Sequence, residues 1–130
     1  MPKYGTLEFS QEFKKMWDAD TLLLKLLKGL STTTIMKVRD HPEMKPIFQR
    51  IEDGKVVEIR HAEPEDIARA EFVYDAPMEV WKDILTDKIE PMKAMVSGKL
   101  KMKGNITKMS AYMKGWLRQM DLQKKVPTEW

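Results

Sequence analysis

The chain has no cysteine. That excludes a disulfide framework, a thiol nucleophile and a thiolate metal site. Histidine is scarce as well. His41 stands in Asp40-His41-Pro42, and His61 closes a strand-like stretch. Neither has a second histidine or a carboxylate at ligand spacing, so no metal is expected. The six glycines form no phosphate-binding loop, dinucleotide motif or nucleophile elbow. Glu63, Glu65 and Asp66 bracket Pro64, and solvation explains them better than paired acid–base chemistry. Long apolar runs are missing too. Leu22-Leu23-Leu24 and Leu26-Leu27 are interrupted by Lys25 and Lys28, too short and too charged to span a bilayer. Met1-Pro2-Lys3-Tyr4 has no apolar stretch behind it of the kind a secretory leader needs. The ending Thr128-Glu129-Trp130 is no receptor-read address. The expectation is a cytoplasmic protein with no enzyme activity, no catalytic residue and no cofactor.

What is present fits one domain, residues 1–130, with 42% hydrophobic and 33% charged residues and a core of its own. The net charge of +3 is unevenly placed. Residues 99–125 hold seven Lys and one Arg against Asp121 alone, a local net of +7. Such a surface is either a solvated face or one that approaches an anionic membrane, where each basic group contributes roughly 1 kcal/mol. Nucleic acid is not expected as a partner, because no aromatics interleave with these charges.

Along the chain, 1–9 reads as a loose lead-in. Ser10 can cap a helix running towards Lys28, with a break at Asp18 or Asp20 and Asp20 as a second cap. The β-branched run 31–38 predicts a strand. Ile47–Ile51 and Val56–Arg60 flank Asp53-Gly54, whose preference for positive φ predicts a tight hairpin. A fourth strand is expected over 68–75, with Ala70, Phe72 and Tyr74 on one face. Residues 31–75 would then form a four-strand antiparallel meander. Two short helices follow within 76–97, the first started by Pro77 and the second by Pro91. Trp81, Ile84 and Leu85 share the face of one; Met92, Met95 and Val96 share that of the other.

The stretch 98–104 alternates Leu100 and Met102 with Lys99, Lys101 and Lys103, which predicts a fifth strand. Asn105 is a good N-cap for a helix over 105–125. Its apolar stripe runs Ile106, Met109, Met113, Trp116, Leu117 and Met120. Gly115 in mid-helix costs about 1 kcal/mol relative to Ala and predicts a close backbone approach or an opening beside Trp116. The chain has 11 methionines, seven of them on predicted apolar faces from Met78 onwards. A flexible, polarizable lining suits a pliable apolar cavity better than one rigid core.

The run Gly98-Lys-Leu-Lys-Met-Lys-Gly-Asn105, followed by a Met-bearing terminal helix, resembles the end of the sterol carrier protein type 2 domain. The resemblance covers roughly 33–120. It implies an α+β fold, a five-stranded, mostly antiparallel twisted sheet packed against helices that enclose an apolar tunnel. It also implies a non-enzymatic carrier of long-chain lipid, fatty acid or fatty acyl-CoA. Carried onto this chain, the tunnel would be lined by Phe72, Tyr74, Trp81, Ile84, Leu85, Met92, Met95, Val96, Leu100, Met102, Met109, Met113 and Trp116. The alternative is a dimerising or docking module that accompanies a lipid-metabolic enzyme and takes a partner helix, or a second copy as a homodimer, in the same groove. No single lysine is marked by the sequence as a head-group ligand.

Overall fold

The computed structural model describes residues 1–130. Helices α1 (Leu7–Ala19) and α2 (Thr21–Leu26) lead into strand β1 (Thr32–Val38). Strands β2 (Ile47–Glu52) and β3 (Lys55–His61), helix α3 (Pro64–Arg69) and strand β4 (Phe72–Ala76) follow. Helices α4 (Met78–Leu85) and α5 (Pro91–Val96), strand β5 (Lys101–Lys103), and helices α6 (Ile106–Ala111) and α7 (Met113–Lys125) complete the chain.

Local chemistry sets most of the boundaries. Asp20 ends α1 and caps α2, its carboxylate accepting from the Leu22 N–H at 3.1 Å. Asp53 and Gly54 both take positive φ, 48° and 78°, which matches the twist of β2 and β3. Asn105 caps α6 by accepting from the Lys108 N–H at 3.1 Å. The first helix starts earlier than Ser10: Thr6 is its cap, accepting from the Phe9 N–H, and Ser10 is buried inside it. Residues 1–9 are no loose lead-in. Tyr4 is fully buried, and Tyr4 and Glu129 join the two ends of the chain through backbone hydrogen bonds.

The sheet is five-stranded, mixed and mostly antiparallel, in the order β3-β2-β1-β4-β5. This corrects the four-strand meander. β4 runs parallel to β1 (Thr34 opposite Phe72, Met36 opposite Tyr74) and not antiparallel to β3. Residues 64–69 are a helix and not the start of a strand. Pro64 at the first helical position and the reciprocal Glu63–Asp66 capping box launch α3, which carries the chain across the sheet between two parallel strands. Ala70 is therefore the end of α3, while Phe72 and Tyr74 do share a strand face.

The terminal helix is also divided. Tyr112 leaves helical geometry at φ −112°, ψ 20°, and separates α6 from α7. Ile106, at the head of the expected stripe, is exposed, whereas Met109, Trp116 and Met120 are buried. The main core of 22 buried residues lies between one sheet face and α1, α2, α4, α5, α6 and α7. Ile35, Phe48 and Ala62, joined by Ile67 of α3, form a smaller core on the opposite face. Trp17 donates to the Gly54 carbonyl at 2.9 Å and Trp81 to the Lys37 carbonyl at 3.1 Å, which ties α1 and α4 to the sheet.

Candidate lipid-binding site

Period two places Thr32, Thr34 and Met36 of β1 on one side of the sheet. The registers add Ile51, Gln49 and Ile47 from β2, and Phe72 and Tyr74 from β4. These eight side chains form the floor of a hollow. Its roof comes from Phe9, Ser10 and Phe13 of α1, Leu27 after α2, Lys108 and Met109 of α6, and the Trp116, Gln119, Met120 and Gln123 row of α7. Most of the 22 lining residues are hydrophobic, 15 in all, so the space favours an apolar guest.

The hollow holds about 80 Å³ for the centre of a water-sized sphere, and about 870 Å³ of atom-free space when its open mouth is included. One water needs roughly 10–15 Å³ on the first measure, so this is more than a packing defect. It follows β1 from Thr32 to Met36, about 13 Å at strand rise. Above it, Tyr112 to Gln123 span about 16 Å at helical rise.

The two ends differ. At the Thr32 end, Lys108 donates to Glu71 and to the Ser31 carbonyl, each at 2.8 Å, and Thr32 also donates to Glu71. Burial pushes the Glu71 carboxyl up, but the hydrogen bonds from Lys108 and Thr32 outweigh it and hold the group below the usual carboxylate range. Lys108 is the one charged side chain on the wall. At the Met36 end stand Tyr4, Trp81 and Gln123. Burial alone pushes the Tyr4 phenol far up. Between the ends, Phe72, Tyr74 and Trp116 stack in series, with centroids 6.4 and 6.0 Å apart.

Of the residues expected from sequence, Phe72, Tyr74, Trp81, Met109 and Trp116 border the hollow. Ile84, Leu85 and Leu100 are buried in the core away from it. Met95, Met102 and Met113 pack half-buried against that core, Met102 one strand beyond Tyr74 on the edge. Met92 is exposed and Val96 is 85% exposed, because Ala94 is the residue α5 turns inward. The α1 wall and the β1–β2 floor are absent from the sequence-based expectation. The alternation of Thr32, Thr34 and Met36 is a visible signal for the floor, but nothing local tells which face the helices roof. No three His, Asp or Glu side chains converge as a metal site would require. No helix is long and apolar enough to cross a membrane.

Residues 13–114 match the model of the SCP-2 sterol transfer family. A crystal structure of sterol carrier protein 2 superposes with a TM-score of 0.83 at 20% identity, over 95% of this chain and 99% of that one. A conserved hypothetical protein of Thermus thermophilus, described as possibly a sterol carrier protein, gives 0.79 at 18% identity, over 99% and 93%. A ubiquinone synthesis protein, UbiJ-SCP2, gives 0.57 at 14% identity, over 87% and 90%. None of the curated proteins matches the chain by sequence. With the family's α+β sheet and its pattern matched over most of the length, the chain belongs to the SCP-2 sterol transfer family, a family of lipid-binding and lipid-transfer domains.

Proposed function

We propose that this chain binds one long-chain lipid, a fatty acid or its acyl-CoA ester, in the hollow between sheet and helices and carries it without chemistry. The observation that supports this reading is the hollow itself, lined mostly by hydrophobic side chains and bearing a single cation, Lys108, near one end. The acyl chain lies over Phe72, Tyr74 and Met36, and the acidic head meets Lys108 in competition with Glu71. Each buried methylene contributes roughly 0.8 kcal/mol, so a chain of about 16 carbons offers on the order of 12 kcal/mol before ordering costs. Ordering removes about half of that or more, and micromolar binding remains. A chain of that length needs more room than the hollow gives with its side chains as they stand. Met36, Met109 and Met120 supply it by changing rotamers, as unbranched side chains can. Transfer then takes place at anionic membranes, met by Lys99, Lys101 and Lys103 beside exposed Val96 and Ile106.

The test is titration of delipidated protein with a fluorescent fatty acid. Saturable one-to-one binding is expected, and Thr34→Phe, which fills the floor, abolishes it in a protein that still melts cooperatively. Equal binding by wild type and Thr34→Phe would remove the hollow from the account. A second reading, a module that accompanies a lipid-metabolic enzyme, draws support from the likeness to a ubiquinone synthesis protein. Obligate assembly in light scattering, with no lipid uptake, would favour it.

A further inference from the structure

Two buried hydroxyls on the hollow's wall have no use in the apolar account. Tyr4 is 1% exposed and Ser10 is 4% exposed, and both line the hollow. Neither hydroxyl takes part in any hydrogen bond within the protein; the one fully enclosed unpartnered side-chain atom is Asp75 Oδ1, which lies elsewhere. The two hydroxyls therefore keep a little open surface, and both residues line the hollow. Tyr4 stands by Trp81, at the end away from Lys108, its ring held between Phe9 and Trp130. Gln123 of α7 adds an uncharged amide at the same end. A purely hydrocarbon tail reaching this place would strip the hydroxyls of water and leave them unpaired, at a cost of about a full hydrogen bond each. A tail with an uncharged oxygen there restores the bond. A second carboxylate would not serve, because no cation lines that end.

From this arrangement we infer that the hollow selects long-chain acids bearing a second, uncharged oxygen function (a hydroxyl or keto group) near the end of the chain, read by the Tyr4 and Ser10 hydroxyls. The inference rests on the carrier reading and narrows its substrate class.

The test pairs each saturated acid from decanoate to hexadecanoate with its ω-hydroxy derivative, measured by calorimetry. At the best-fitting length the hydroxy acid should bind roughly fivefold to tenfold more tightly to the wild type. Tyr4→Phe keeps the ring and Ser10→Ala keeps the helix. Each should erase most of the preference between the paired acids, which is read as the ratio of the two affinities within each variant. An unchanged or raised melting temperature in both variants is expected, because neither hydroxyl holds the fold. Equal affinity for both acids in the wild type would overturn the inference and leave the carrier reading intact. A preference that survives in the double variant would also overturn it. Binding of neither series would overturn the carrier reading itself, and this inference with it.

Discussion

Leu27 occupies the space that a Cβ on Gly115 would fill, so α7 can lie against the end of α2 only because residue 115 has no side chain. Leu27 also lines the hollow, and the contact thus sets the height of the roof at its Thr32 end. Gly115→Ala gains about 1 kcal/mol of helix propensity and loses more to overlap. A net loss of about 1–2 kcal/mol is expected in thermal or urea unfolding, together with weaker lipid uptake as α7 is pushed away. A stabilised variant would mean that Leu27 yields freely.

Asp20 joins the same two helices by another route. Its carboxylate accepts from Arg118 Nε at 2.7 Å, and its side chain is only 10% exposed. The bond to Arg118 holds its pKa below the usual carboxylate value against the opposing effect of burial. A depressed folded-state pKa adds stability above the unfolded value, about pH 4, and that stability is lost as pH falls through the folded one. Melting temperature should therefore fall below about pH 4 more steeply in the wild type than in Arg118→Gln. Asp20→Asn keeps the cap on α2 and should cost less than Asp20→Ala, which loses a further ~1 kcal/mol with the cap.

Lys108→Gln removes the one cation on the wall and with it the charge-assisted bond to Glu71, which keeps Thr32 as a donor. Its effect should depend on charge. Affinity for a fatty acid should drop about tenfold, while that for the matching long-chain alcohol stays within about twofold. An equal drop for both would assign Lys108 a role in holding α6 to the Ser31 carbonyl instead.

Tyr74 separates two contributions. Its hydroxyl reaches only the sulfur of Met109, at 3.6 Å, a weak acceptor. Tyr74→Phe should therefore alter stability by no more than about 0.5 kcal/mol. Tyr74→Ala removes the middle ring of the Phe72–Tyr74–Trp116 series and should cost about 2 kcal/mol or more. Denaturant midpoints of the two variants give the comparison directly.

Some of this architecture is legible because its causes lie within a few residues of chain. The Asp53-Gly54 turn, the cap at Asp20, the Pro91 start and the Asn105 cap each follow from one side chain's conformational preference or one short hydrogen bond. The Glu63-Pro64 start of α3 belongs to the same class, but its acidic cluster reads equally well as a solvated loop, which places the start of the strand too early. The break at Tyr112 carries no such marker. Neither Pro nor Gly interrupts Ile106 to Lys114, and the apolar spacing runs through it unbroken.

The sequence by itself determined the elements' periods and which side chains share a face: Phe72 with Tyr74, and Met109 with the Trp116 and Met120 row. Only tertiary structure decided that β4 lies parallel to β1, that α1 closes one wall, and that Thr34 and Gln49 meet across the floor. The physical reason is range. Periodicity and capping act over one turn or one pleat, whereas a hollow exists where elements far apart in sequence stop short of touching, and no local preference encodes the distance between them.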